Sequence, residues 1–300
     1  KRLVAGRQSF KCANNPSCVS KGLESYKCPL WQKSEIDNRG SFGVHRIDTP
    51  SQLREACYDA IANSHSRQIL IEEFIFGTHI TIDGYIFPGQ GCRSLALATK
   101  GLIPSTSSQV AIDIIYPGEL SPELCQKAMS INEEVNQKLG YEFGMTHSEY
   151  MVTDTGRVVL IESANRGGGC FTSQIIVPQV SGIDLIDQLL NDVQGFQQSQ
   201  FRTPEQNPTI LKFLELESGT IERTDGLGRV MKQPGVLAAQ LLVQPGATIQ
   251  PVSNDASRHG FVIYSNPDCP SHATLRQECQ TVLDQFEITY STSSSKTFAA

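Results

Sequence analysis

Apolar residues recur at helical spacing in some segments of this chain and form short runs in others. Helices are predicted over residues 49–63, 121–140 and 182–193, with a last one over about 271–286. The run Thr49-Pro50-Ser51-Gln52 has the residues of a capping box, which is typical of a helix start. Strands are predicted over residues 68–76, 209–216, 236–243 and 260–264. The pattern therefore predicts an α+β chain whose last third is rich in strands.

A hairpin with a glycine-rich exit is predicted over residues 144–169. A two-residue turn at Thr155-Gly156 would pair Thr153 with Val158 and place Glu149 directly opposite Glu162. Two carboxylates in such a cross-strand pair repel each other unless a cation or a shared proton lies between them. Mg²⁺ binds carboxylate oxygens together with phosphate oxygens of a substrate. The pair therefore predicts a metal site.

Arg166 and the run Gly167-Gly168-Gly169 follow the second strand of this hairpin. An arginine holds carboxylate or phosphate groups with two parallel hydrogen bonds, and glycines let the backbone approach a ligand closely. These residues favour a metal–phosphate or metal–carboxylate site. The alternative is a solvated hairpin whose exposed glutamates have no special role.

Bulk composition excludes several classes of function. The chain has 300 residues and a formal net charge of −6, which gives no bulk attraction to nucleic acid or to an anionic membrane. No stretch of 18 apolar residues predicts a membrane span, and no signal peptide is visible. Nine cysteines without a C-x-x-C pair are typical of reduced thiols, so we expect a cytoplasmic protein. The chain opens on Lys1 without a methionine, so we expect an upstream piece to be missing.

Four stretches, in this order along the chain, resemble those of the ATP-grasp superfamily. Lys1 and Lys33 stand where the family has its two ATP-phosphate lysines, and residues 37–44 (DNRGSFGV) resemble its glycine-rich loop. Residues 69–75 (ILIEEFI) resemble the strand that holds adenine through backbone groups. Glu149, Glu162 and Arg166 match the magnesium-binding carboxylates and the arginine that follows them. The resemblance implies these ATP-binding residues: Lys1, Lys33, Ser41, Glu72, Glu73, Phe74, Ile75 and His79.

The segment from Glu162 to Gly169 resembles the E-x-x-x-R-x-G-G pattern of carboxylate–amine ligases related to L-amino-acid (dipeptide) ligases. The resemblance implies that Arg166 is catalytic and that Arg166, Gly168 and Gly169 bind substrate. The chain departs from the family in three places: residues 34–36 after Lys33 replace a proline and one residue, which leaves the register between Lys33 and the glycine-rich loop open by one; His79 replaces an acid that binds ribose in many members; and Ala164 replaces an asparagine of several relatives that is one possible metal ligand. Asn165 is a candidate to replace that ligand. Lys100 is interpreted as a surface lysine, and a structural hydrogen bond is the favoured role for His147.

The resemblance implies an ATP-grasp fold in which two α+β subdomains grip ATP and a β-rich subdomain follows. Residues 1–100 would form the lid and nucleotide-binding part, 101–200 the metal and substrate part, and 201–300 the C-terminal part. The family's Rossmann-like domain would precede Lys1.

The implied function is an ATP-dependent carboxylate–amine ligase that works through an acyl phosphate and releases ADP and phosphate. Its cofactors would be ATP and Mg²⁺, with Mn²⁺ able to substitute. Its partners would be a small carboxylate and a small amine, both expected to be amino acids, and a homodimer is compatible with the family. Two alternatives stay open: a biotin-carboxylase-like or purine-pathway ATP-grasp enzyme, and a module that binds ATP without catalysis.

Overall fold

The computed structural model describes residues 9–13, 30–34, 43–65, 67–103, 110–195 and 203–291. Within these residues the chain forms six α-helices: α1 (Leu53–Ala62), α2 (Pro122–Leu139), α3 (Val177–Ser181), α4 (Leu185–Gln194), α5 (Leu227–Val230) and α6 (His272–Leu283). None of the helices in these ranges is both long enough and apolar enough to cross a membrane.

Fifteen strands alternate with these helices in the same part of the chain. They are β1 (Ser9–Ala13), β2 (Leu30–Ser34), β3 (His45–Ile47), β4 (Gln68–Glu73), β5 (Thr78–Phe87), β6 (Gly91–Leu102), β7 (Ala111–Tyr116), β8 (Gly144–Val152), β9 (Val158–Ala164), β10 (Thr209–Phe213), β11 (Gly219–Asp225), β12 (Val236–Leu241), β13 (Thr248–Ile249), β14 (Gly260–Ser265) and β15 (Glu287–Tyr290).

A four-stranded sheet in the order β1-β4-β2-β3 packs against α1. The helix start follows the predicted capping box, since Gln52 Oε1 accepts a hydrogen bond from the Thr49 backbone N–H at 3.0 Å. Ala56, Cys57 and Ala60 on α1 pack with Ile69 and Ile71 of β4 in one buried cluster. This layer leads through Phe74–Phe76 into the central sheet.

The central sheet has eight strands in the order β12-β14-β10-β7-β6-β5-β8-β9. One face packs against α2 and α6, which bury clusters around Tyr150 and Ile115. The opposite face packs against α3 and α4, around Tyr85 and Leu211. A separate three-stranded sheet has the order β13-β11-β15.

Most predicted elements are present with shifted ends. The third predicted helix begins at Leu185 rather than Gly182, because the Asp184 side chain caps it by accepting from the backbone N–H groups of Ile186 and Asp187. The last helix ends at Leu283, three residues early. The central sheet takes strands from residues 78 to 265, and the division of the chain at residues 100 and 200 stays a prediction.

Candidate functional site

The β8–β9 hairpin places Glu149 directly opposite Glu162, which confirms the predicted pair. The predicted two-residue turn is wrong. Val158 pairs with Val152, and the Thr153 backbone N–H donates to Arg157 O at 2.9 Å across a three-residue loop. The register shifts again between Glu149 and Tyr150, which is a β-bulge. The extra residue in the loop and the extra residue in the bulge cancel, so the carboxylates still meet.

The bulge also decides which face Glu162 occupies. Leu160 packs in the cluster beneath α2, and Ser163 Oγ donates to Asn136 Oδ1 of α2 at 2.8 Å. The two residues between them, Ile161 and Glu162, therefore share the opposite face, because a bulge interrupts the usual alternation. This is the face that carries Glu149.

Glu149 is enclosed by basic side chains from β5, the strand next to β8, and from β6, the strand beyond it. Lys100 Nζ on β6 lies 2.5 Å from Glu149 Oε1, and His79 Nε2 on β5 lies 2.8 Å from Oε2. Burial alone would raise the pKa of the Glu149 carboxyl, but the charge of Lys100 and the nearby histidines hold that pKa well below its usual range. Glu149 is therefore ionised and strongly paired.

The interpretation of Lys100 as a surface lysine is wrong. Its side chain is only 13% exposed, and it lies on a strand that is buried on both faces. The signal for this was in the sequence: Ala96, Ala98 and Lys100 alternate along β6, so they share one face. His79, which was predicted to bind ribose, directs Nε2 at Glu149; its Nδ1 is buried and has no hydrogen-bond partner among the described residues.

His147 bonds to Asp83, a residue that the sequence analysis did not single out. His147 Nδ1 lies 2.8 Å from Asp83 Oδ1, and Nε2 lies 3.7 Å from Glu149 Oε1. Burial alone would lower the pKa of His147, but the two carboxylates raise it to about 9. Asp83 is 1% exposed and lies between Ile82 and Tyr85 in a strand that is buried over residues 80–87, and an acid in such a segment is the signal that was missed.

Arg166 and the glycines follow β9 at the rim of this face. Arg166 is exposed, and its Nη1 donates to Gly167 O at 2.8 Å. Gly168 is buried, whereas Gly169 is exposed, and a Cβ placed on Gly169 would meet nothing within 4 Å. Asn165 Nδ2 donates to Met145 O at 2.9 Å, so its amide holds the backbone of β8 rather than facing the carboxylates.

An apolar patch lies beside the two carboxylates, and the Phe74–Phe76 segment reaches it. Ile75 is buried against Met151, Val159 and Ile161, which lie on β8 and β9 next to Glu149 and Glu162. Of the two predicted acids on β4, Glu72 is buried and Glu73 is half-buried, so one of them points inward as expected.

Several predicted ATP contacts fall outside the described side chains. Lys1 and Ser41, with most of the glycine-rich segment 37–44, lie outside the described residues. Lys33 is described as backbone only, in β2, where it pairs with Leu70 of β4. The roles of these three residues stay predictions.

The donor set fits a hard divalent ion that keeps other ligands. Glu149 and Glu162 supply carboxylate oxygens from adjacent strands. Among the described residues no group of three His, Cys, Asp or Glu side chains could hold a metal by itself. Mg²⁺ in phosphate-transfer sites is typically held by one or two carboxylates, with water and substrate phosphates completing the shell. The two glutamates therefore fit that ion as part of a substrate complex.

Comparisons with known families match two parts of the chain. A family model described as an ATP-grasp domain matches residues 36–174, and a model described as L-amino acid ligase C-terminal domain 2 matches residues 212–291. The first match includes both carboxylates, Arg166 and the glycines.

Individual relatives are distant. The chain is 24% identical over 285 residues to the uncharacterized protein y4rH of Sinorhizobium fredii, covering 94% of this chain and 57% of that protein. It is 24% identical over 173 residues to D-alanine–D-alanine ligase of Parabacteroides distasonis, covering 55% and 51%. The chain thus spans about half the length of the curated relatives it matches.

Solved structures share the fold. The L-amino acid ligase from Bacillus licheniformis superimposes with a TM-score of 0.74 at 22% identity, covering 95% of this chain and 68% of that one. At this identity the likeness shows the architecture alone.

Proposed function

We propose that the chain acts as an ATP-dependent carboxylate–amine ligase, because residues 36–174 match an ATP-grasp domain and residues 212–291 match a C-terminal domain of L-amino acid ligases. A carboxylate oxygen of the first substrate attacks the γ-phosphorus of ATP. The bond from that phosphorus to the β–γ bridging oxygen breaks, ADP leaves, and an acyl phosphate forms. The amine nitrogen of the second substrate then attacks the acyl carbon, phosphate leaves, and the nitrogen gives up a proton as the amide forms.

The observation that carries this proposal is the grouping of acids and bases on one face of the β8–β9 hairpin. Glu149 and Glu162 lie opposite each other, and Lys100 contacts Glu149. The two glutamates would hold a magnesium ion, which when bound neutralises charge on the phosphates as the two anions approach. Lys100 adds positive charge beside them.

Arg166 and the glycines support the substrate side of the proposal. The exposed guanidinium of Arg166 has the geometry to bind a carboxylate or acyl phosphate with two hydrogen bonds. Gly169 leaves room for a ligand on its side-chain side, because a Cβ placed there would meet nothing within 4 Å. Arg166 is therefore the residue that we expect to contact the reacting carboxylate, and Gly168 and Gly169 complete its binding site.

Further parts of the proposal come from the family resemblance. Lys1, Lys33 and Ser41 would contact the phosphates, and residues 72–75 with His79 would contact the adenosine. The substrates would be amino acids, with Mn²⁺ able to replace Mg²⁺. A cytoplasmic homodimer with an additional N-terminal domain completes the proposed picture.

The test is phosphate release from ATP and Mg²⁺ with single amino acids and with pairs, using the full-length protein. We expect release to require a specific amino acid or pair, and Glu162→Gln to lower kcat by about 10²–10³-fold because charge neutralisation at the phosphates is lost. Glu217→Gln, at an exposed position away from the hairpin, is the matched control. If phosphate release stays at background with every pair of amino acids while ATP still binds, the amino acid ligase function is excluded. Release that needs bicarbonate would instead favour a carboxylating enzyme.

A further inference from the structure

The backbone of Gly167–Gly169, called here the glycine loop, rests directly on the Asp83–His147 pair. A Cβ placed on Gly168 would lie 3.0 Å from both Asp83 Oδ1 and His147 Nδ1, and 2.9 Å from Thr172 Cβ. These distances are shorter than ordinary van der Waals contact. The loop can therefore occupy this position only with glycine at residue 168.

The pair beneath the loop is held by the central sheet. Asp83 lies on β5 and His147 on β8, the neighbouring strand. Tyr116 on β7 donates its hydroxyl hydrogen to Asp83 Oδ2 at 3.4 Å, and Thr81 Oγ1 lies 3.4 Å from His147 Nδ1. Contacts from three strands thus determine where the pair lies.

The residue before it, Gly167, is confined just as closely from the other side. A Cβ on Gly167 would lie 2.1 Å from Ser173 Oγ and 3.1 Å from Met145 Sδ. The loop is therefore confined between the turn that starts at Thr172 and the sheet. Arg166 immediately precedes this confined segment and Cys170 immediately follows it.

We infer that Asp83 and His147 are positioning residues for the substrate carboxylate. Their hydrogen-bonded pair holds the glycine loop, and through it Arg166, at a set distance from Glu149 and Glu162. The inference rests on the proposed ligase function, in which these groups bind the reacting carboxylate. The role is geometric: a displacement of about 1 Å in a positioning group costs on the order of 100-fold in rate.

The first test is Gly168→Ala, which inserts a methyl group between the loop and the pair. We expect kcat/KM for the carboxylate substrate to fall about 30- to 100-fold, while the Kd for ATP stays within about 3-fold. The matched control is Gly228→Ala on α5, where nothing lies within 4 Å of the new Cβ. That control should leave both values unchanged.

A second readout does not depend on activity. Cys170 is exposed and free, so its alkylation rate, measured by mass spectrometry of its peptide, reports the position of the loop. We expect Gly168→Ala to change the rate at Cys170 at least about 3-fold through loop displacement. The rate at Cys269, in the segment between β14 and α6, should not change. An unchanged Cys170 rate would overturn the inference even if the ligase assay showed no activity in any variant.

Two substitutions at Asp83 separate shape from loss of the hydrogen bond. Asp83→Asn keeps an oxygen that accepts from His147 Nδ1, so kcat/KM should stay within about 3-fold of wild type. Asp83→Ala removes the acceptor and should match Gly168→Ala in kcat/KM and in the Cys170 rate. The double variant Gly168→Ala/Asp83→Ala should be no worse than the worse single variant, because both displace the same loop.

The outcomes distinguish the two proposals. Absence of amino-acid-dependent phosphate release in wild type refutes the ligase, and the Cys170 rates still test the loop contact. Multiplicative losses in the double variant, or equal losses of ATP binding and kcat/KM, refute the positioning role. Loss of folding in Asp83→Ala leaves Gly168→Ala as the deciding variant.

Discussion

The two faces of the β8–β9 hairpin carry different kinds of polar side chains. On the α2 face, Tyr150 donates to Asn132 Oδ1 at 3.0 Å, and Ser163 donates to Asn136 Oδ1 at 2.8 Å. All the members of this buried network are neutral, and they satisfy one another. On the opposite face, Glu149 and its neighbours are charged and open at the rim to Arg166 and the glycine loop. Alternation along the same strands thus separates a structural network from a candidate reaction site.

The difference indicates what each network does. Neutral groups that saturate one another stabilise the packing of a helix on a sheet and leave no site for a ligand. The charged face instead has the buried His79 Nδ1, which has no hydrogen-bond partner among the described residues. Substitutions on the α2 face should therefore change stability, and substitutions on the charged face should change activity.

The largest expected effect is on the charged face. Lys100→Met should lower kcat by about 10²-fold, because the proposed phosphate site loses a positive charge. The free energy of unfolding should fall by only about 1 kcal/mol, since His79 still donates to Glu149. Phosphate-release kinetics and urea unfolding measure the two effects. A stability loss with unchanged kcat would make Lys100 structural.

A second charged cluster, on the face that carries α6, tests whether charge alone marks a site. Arg276 Nε donates to Asp113 Oδ2 at 3.2 Å, and Nη1 donates to Glu119 Oε1 at 2.7 Å. Asp113 is 4% exposed, and Lys212 Nζ, 3.7 Å from its Oδ2, would remain as a second cation. Arg276→Gln should therefore cost about 3 kcal/mol of unfolding free energy, the low end for a broken buried ion pair, with kcat unchanged. The control Arg229→Gln removes an exposed pair with Glu287 and should cost under about 1 kcal/mol. A large loss of kcat in Arg276→Gln would instead mean that this cluster contributes to the reaction.

The same cluster predicts a pH dependence. The hydrogen bond from Arg276 is the main reason that the pKa of Glu119 lies below its usual value, against the opposing effect of burial. This stabilisation is fully present above the unfolded pKa of about 4.3, and it is lost as the pH falls through the lower folded pKa. The difference in unfolding free energy between wild type and Glu119→Gln should therefore be constant at neutral pH and shrink below about pH 4. A difference that grows on acidification would contradict the pairing.

A smaller effect is expected in the neutral network. Asn132→Ala removes the acceptor of the buried Tyr150 hydroxyl and one of the two contacts of Ser94 Oγ with α2, which should cost about 2 kcal/mol of unfolding free energy. Because this face is closed to substrate, KM and kcat should stay within about 2-fold. Ser130→Ala, at an exposed position of the same helix, is the control. Reduced kcat in a folded Asn132→Ala protein would mean that the two faces are coupled.

The smallest effect is expected on the site face but away from the charges. Tyr85 donates to Asp192 Oδ2 of α4 at 2.5 Å. Tyr85→Phe should lower the unfolding free energy by about 1 kcal/mol and leave kcat unchanged, which would limit the reactive part of this face to the hairpin side. Thermal unfolding measures the stability change, and the phosphate-release assay measures kcat. A lower kcat in Tyr85→Phe would mean that the reaction site also includes residues next to α4.

Local features were predictable because neighbours along the chain determine them. The α2 helix begins at Pro122 after its Ser121 cap and ends at Gly140 in the left-handed region, as its sequence indicates. The start of α4 was misplaced because Gly182 terminates the preceding short helix rather than opening the next one. The pairing of Glu149 with Glu162 was predicted by counting across a two-residue turn. The turn has one residue more than predicted and the strands contain an unpredicted bulge, and because these two differences cancel, the predicted pairing is correct.

The sequence alone determined the family resemblance, the hairpin with its two opposed glutamates, and the order of the glycines and Arg166 behind it. Only the tertiary structure decided what surrounds Glu149. Lys100 is 49 positions from Glu149, and Asp83 is 64 positions from its partner His147, so strand order and register bring them together. The bulge between Glu149 and Tyr150 and the close contact of Gly168 with Asp83 likewise depend on how strands pack. Such contacts leave no local pattern, because the residues that form them are neighbours only in the folded sheet.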